Sequence, residues 1–92
     1  MRYTVVWRER ALQQLAGLWI DATDREAVNL TVDAIDAELL NDPDQKGDDY
    51  YGDRYVLFPL LWALYRIYPD DLIVHVLQVG RPGVDLPHDD KE

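Results

Sequence analysis

Ninety-two residues, 48% of them apolar and none of them cysteine, suit one small globular domain and exclude a disulfide framework, a thiolate nucleophile and a cysteine-type zinc site. Eighteen acids against nine bases give a net charge of −9, which repels phosphate backbones and argues against a general nucleic-acid-binding surface, while leaving room for a local arginine cluster. The acidity belongs to the body of the chain, since the residues before Gly80 alone carry −7.

The opening segment Met1-Arg2-Tyr3-Thr4-Val5-Val6-Trp7 meets Arg8, Glu9 and Arg10 too soon for a signal peptide. No apolar run approaches the roughly 18 residues of a membrane span, so a cytoplasmic chain with no membrane partner is expected. Tyr3 to Trp7, β-branched and aromatic, predicts a first strand. Ala11, Leu12, Leu15, Leu18 and Trp19 then recur at three- and four-residue steps and predict a helix, ended by Asp21-Ala22. Thr23-Asp24-Arg25-Glu26 reads as a capping box with Thr23 as the cap. Behind it Val28, Val32, Ile35 and Leu39 form one helical stripe, with Asn29, Asp33 and Asp36 facing elsewhere, and this second helix stops near Leu40. Helices joined by so few residues pack antiparallel.

Residues 41–53 are polar and carry Pro43, Gly47 and Gly52, which predicts a loop. Its stretch from Asp42 to Asp48 has the glycine of a calcium loop, but Lys46 stands where a carboxylate belongs, so a solvated acidic loop is the reading and no metal or cofactor is implied. Arg54–Phe58, Leu61–Tyr68 and Leu72–Val79 then predict three strands of an antiparallel meander, with a turn at Pro69-Asp70-Asp71. The fold class is therefore α+β in the order β-α-α-β-β-β: an antiparallel helical hairpin packed on one face of a four-stranded, mostly antiparallel sheet. Residues 1–81 make the domain and residues 82–92 a flexible acidic tail. A core of this size leaves little net stability, so a protein partner or a homodimer would add to it.

Tyr3-Thr4-Val5-Val6-Trp7, Ala11, Leu15, Ile35 and Leu39 before Asp42-Pro43 resemble the opening half of the RelE/ParE toxins. Gly52-Asp53-Arg54, Pro59-Leu60, Leu64-Tyr65-Arg66-Ile67, and Asp70-Asp71 leading into Ile73-Val74-His75-Val76-Leu77 resemble the closing half. The resemblance spans residues 3 to about 81. It implies the toxin of a type II toxin–antitoxin pair of the plasmid-stabilisation type, acting on ribosome-bound mRNA as an mRNA interferase or on DNA gyrase, and neutralised by a cognate antitoxin. It also places Arg54, Arg66 and Arg81 where the ribonuclease branch carries its basic catalytic residues. Two departures stand out. The family is usually basic, and where its ribonucleases have a His or Tyr after the last strand this chain reads Leu77-Gln78-Val79-Gly80. Glutamine does not exchange a proton near neutral pH.

Strand alternation separates Leu61, Ala63, Tyr65 and Ile67 from Trp62, Leu64, Arg66 and Tyr68. With the first set against the helices, Trp62, Leu64 and Tyr68 ring Arg66 on an open face, a composition suited to partner binding, the alternative being that the loop from Asp42 to Asp53 folds over it. His75 alternates with Ile73, Leu77 and Val79 and reads as a structural histidine, and His88 falls in the tail. Four functions follow: an antitoxin-binding toxin, a ribonuclease built on Arg54, Arg66 and Arg81, a gyrase-directed toxin, and a catalytically degenerate acidic homologue acting only as a protein-interaction module or homodimer.

Overall fold

Val74 and Val76 on the last strand, Ala63 and Tyr65 beside them, and Ile35 and Leu39 across from them are all fully buried, and the chain folds around this shared apolar plane. The computed structural model describes residues 2–86. Strand β1 (Thr4–Trp7) leads into α1 (Glu9–Asp21) and α2 (Arg25–Leu40), followed by a single 3-10 turn at Pro43–Gln45. Strands β2 (Asp48–Tyr50), β3 (Asp53–Leu57), β4 (Trp62–Tyr68) and β5 (Ile73–Gly80) complete one five-stranded sheet of order β1-β5-β4-β3-β2. β1 runs parallel to β5, with Val5 opposite Val74, and every other pair is antiparallel. A parallel pair needs a crossover, and the two helices lie within the connection that returns the chain to β5.

The helices cover one face of the sheet. Ala11 of α1 and Ile35 and Leu39 of α2 pack with Val56, Leu61, Ala63, Tyr65, Val74, Val76 and Val79, and Leu15, Leu18 and Val32 border them. Each fully buried large aliphatic side chain here contributes about 1.5–3 kcal/mol. Leu12 and Trp19, expected in the same stripe, stay 50% and 39% exposed. Trp19 instead lies under Arg25, whose guanidinium carbon sits 4.7 Å from the ring centroid. The cap of α2 is Asp24 and not Thr23: the Asp24 carboxylate accepts from the Ala27 backbone N–H at 3.1 Å. Asp36, expected to face away, is half-buried and accepts from Trp7 Nε1 at 2.7 Å, tying α2 to β1. Trp7→Phe removes this bond and is expected to lower stability by about 1 kcal/mol, read as a shift in the urea midpoint at unchanged slope.

Two features of the sheet differ from the sequence expectation. Residues 48–50, expected as loop, form the edge strand β2, paired with β3 through Tyr50 opposite Asp53 and Asp48 opposite Tyr55. The pairing of β4 with β5 also slips between Leu64 and Tyr65, so that Leu64 faces Gln78 and Tyr65 faces Val76. This bulge reverses the alternation beyond Leu77. Val79 therefore joins the helix-side core, while Leu77 stays on the opposite face beside Trp62 and Leu64. Among the described residues no helix is long and apolar enough to cross a membrane.

Candidate functional site

The face of the sheet away from the helices has two chemically distinct ends. At one end Trp62, Leu64 and Leu77 form a small second core, with 6%, 4% and 5% of their surface exposed. Tyr50 and Tyr55 pack against it. The residues after β5 fold back over the same place: Trp62 Nε1 donates to the Asp85 carbonyl at 3.0 Å, and the Arg81 N–H and Nε donate to the Asp85 carboxylate at 2.8 and 3.1 Å. The open aromatic patch expected around Arg66 is therefore covered at Trp62 and Leu64. The cover comes from the additional strand β2, which brings Tyr50, and from residues 81–86. A cleft of about 230 Å³ remains at this end, bordered by Tyr55, Leu57, Trp62, Pro82 and Leu86. Its rim carries exposed carbon, with Leu57 67% and Leu86 79% accessible. The part of the acidic tail beyond residue 86, with His88, lies outside the described residues.

The other end is polar. Arg66 stands opposite His75 in the β4–β5 register, with Tyr68 two residues further along the same side. Arg66 grips Asp53 with both forks, Nε to Oδ1 at 2.7 Å and Nη2 to Oδ2 at 3.1 Å. That bond, followed by one to Tyr68, holds the Arg66 guanidinium above its usual value. Arg8, immediately after β1, reaches across β5: its Nε donates to His75 Nδ1 at 2.8 Å and its Nη2 to the Tyr68 hydroxyl at 3.3 Å. The Tyr68 and His75 rings lie 4.8 Å apart at a tilt. Burial, then the charges of Arg8 and Arg66, push His75 below the ordinary imidazole value of 6.5. The unfolded chain therefore takes up the His75 proton more readily than the folded one. The stability due to the neutral ring is complete above pH 6.5 and declines as the pH falls below it. His75→Gln is expected to flatten the decline of stability that sets in as the pH falls below 6.5, measured by urea unfolding at stepped pH.

No protein-family model matches this sequence, and no curated protein sequence matches it either. Solved structures do match. The toxin–antitoxin complex RelBE2 of Mycobacterium tuberculosis aligns at a TM-score of 0.70 and 20% identity, over 88% of this chain and 92% of that chain. The chromosomal ParDE system of P. aeruginosa aligns at 0.66 and 18% identity, over 87% and 96%. A mutant of the E. coli toxin RelE in the free state aligns at 0.65 and 21% identity, over 92% and 88%. The chain has the RelE/ParE toxin fold.

Within this RelE/ParE fold the three arginines singled out from the sequence occupy separate places. Arg54 pairs with Tyr65 in register and so lies on the helix side of the sheet. There it donates to the Lys46 and Gly47 carbonyls at 2.8 and 3.0 Å. It fastens the loop after α2, together with Lys46, whose ammonium donates to the Glu38 and Asn41 carbonyls at the end of that helix. Arg66 is on the opposite face. Arg81 follows β5 at its far end from His75, roughly 20 Å along the strand, and is bound to Asp85. Arg8 went unnoticed in the sequence because only the parallel pairing of β1 with β5 brings it to His75. Among the described residues no group of three or more His, Asp or Glu side chains is placed to hold a metal.

Proposed function

We propose that this chain is the toxin component of a toxin–antitoxin pair, acting first by binding an antitoxin polypeptide. The observation that carries the reading is the near end-to-end agreement of its fold with RelBE2 and ParDE, both solved as toxin–antitoxin systems. The partner face expected at Trp62, Leu64 and Tyr68 extends to the residues that surround them. Trp62 and Leu64 are the floor, and the accessible carbon belongs to Leu57, Leu86 and the half-buried Tyr68. An apolar rim over a packed floor suits an amphipathic segment laid across the sheet. In a test, the chain is co-expressed with the product of the neighbouring gene and the complex isolated by size exclusion. A complex that Leu57→Asp weakens by tenfold or so supports the reading. Failure of every small neighbouring product to bind overturns it.

For the target, a mode of action through protein contacts, as on DNA gyrase or in a non-cleaving interaction module, is the reading that the arginines favour over mRNA cleavage. Arg66 is paired with Asp53 and Arg81 with Asp85, and Arg54 lies on the helix side of the sheet, turned to loop carbonyls, so the three do not converge on one scissile phosphate. Expression alone, followed by parallel supercoiling and mRNA-integrity assays, separates these targets. Cleaved mRNA lost on Arg66→Ala would restore the ribonuclease reading.

A further inference from the structure

We infer that Arg8, Tyr68 and His75 form a binding site for the phosphate group of a small molecule, at the polar end of the open sheet face. The inference is independent of the toxin reading, because it rests on the hydrogen-bond inventory of three side chains and not on the fold family.

A guanidinium has five N–H donors and no acceptor. Arg8 spends its Nε–H on His75 and one Nη2 hydrogen on Tyr68, which leaves three. His75 accepts at Nδ1, so its neutral ring carries the proton on Nε2, facing away from Arg8. The Tyr68 oxygen accepts from Arg8, which leaves its own hydroxyl proton for a further acceptor. The cluster has thus consumed its acceptors internally and keeps only donors. An anion is what such a set lacks.

The charge is equally one-sided. Among the described residues the Arg8 side chain bonds only to neutral acceptors, whereas Arg66 is matched by Asp53. The other acids on flanking elements are Glu9, whose carboxylate accepts from Gln13 at 3.2 Å, and Asp70 and Asp71 in the exposed β4–β5 turn. His75 is held below its ordinary basicity first by burial and then by the charges of Arg8 and Arg66.

Three donor groups from three residues fit a tetrahedral oxyanion better than a planar carboxylate, which offers two oxygens to a fork. Against a chain of −9 a long polyanion is repelled along its length. A compact phosphate instead feels mainly the local guanidinium, since charges beyond about 8 Å are screened at physiological salt. The chemistry is shared by free phosphate and by a nucleoside monophosphate, and the two are separated by experiment.

The test uses the full 92-residue chain, with nitrogen-15 spectra of the histidine rings at constant ionic strength and His88 as internal reference. Titration with inorganic phosphate is expected to shift the His75 ring saturably and to raise its apparent pKa, with His88 unmoved. Arg8→Gln is expected to weaken binding by about tenfold or more, and Tyr68→Phe by a few-fold. A nucleoside monophosphate that binds tenfold tighter than phosphate identifies a nucleotide as the ligand, and equal affinity identifies phosphate itself. Both results support the site. A His75 shift that is linear, shared by His88 or reproduced by chloride overturns it, as does acetate competing on equal terms. Should Arg8→Gln lose its dispersed amide spectrum, Tyr68→Phe carries the test, and binding unchanged in that variant overturns the proposal.

Discussion

Tyr65→Ala is expected to leave the domain unfolded at 37 °C. Tyr65 is completely buried between the sheet and the helices, and replacing a buried aromatic by alanine costs about 3–5 kcal/mol. A domain of this size has a total stability of about 5–10 kcal/mol, so most of it goes. The ring does more than fill space. Its hydroxyl lies 2.8 Å from both the Pro43 and the Lys46 carbonyls and so pins the segment after α2 to the middle of β4. Burial pushes this phenol up from its usual value, against the opposing pull of Arg54. Tyr65→Phe keeps the volume and removes only the hydroxyl, and is expected to cost about 1–2 kcal/mol. Thermal and urea unfolding of the two variants side by side separates the contributions. If Tyr65→Phe unfolds at the wild-type midpoint, the hydroxyl does not anchor the loop.

Gly47→Ala is expected to be the most damaging single-methyl change, at about 2–4 kcal/mol. Gly47 has φ of +65°, and a Cβ there would collide with the Tyr55 carbonyl of β3. That carbonyl cannot move aside without breaking the β2–β3 pairing, which carries Tyr50 and Tyr55 over the Trp62 cluster. Gly52 offers the control. It has φ of +92° but no atom within 4 Å of an added Cβ, so Gly52→Ala meets backbone strain alone and is expected to cost about 1 kcal/mol. Amide exchange decides the local consequence: Gly47→Ala should raise exchange in β2 and β3 while leaving β1 and β5 protected. Equal losses in the two alanine variants would show that the steric contact is not what matters.

The elements built on local periodicity were legible in the sequence. The stripe Val28, Val32, Ile35, Leu39 marks α2, and Ala63, Tyr65 and Ile67 mark the side of β4 that meets the helices. Strand β2 was not legible, because Asp48-Asp49-Tyr50 has no apolar alternation and owes its conformation to pairing with β3. The bulge near Leu77 was hidden for a related reason: alternation predicts Val79 opposite to where it lies, and only the register with β4 reveals the slip. Trp62 and Leu64 do face away from the helices, yet they are covered. Their cover comes from Tyr50, Tyr55 and Asp85, which no sequence window containing β4 alone includes. Arg54, Arg66 and Arg81 are real strand or strand-end arginines, but strand parity and distance keep them apart. The polar end of the open face depends on Arg8 and His75, nearly seventy positions apart in the chain.

The parallel pairing of β1 with β5 governs when the molecule can exist during its own synthesis. Thr4 and Val5 wait for partners about 70 residues later, at Ile73 and Val74, and closing so large a loop is slow compared with forming a local helix or hairpin. A nascent chain leaving the ribosomal exit can wind α1 and α2 early, but it cannot complete its hydrophobic interior until β5 has emerged. Until then β1 and the apolar stripes of both helices are open to any chaperone or partner that arrives first.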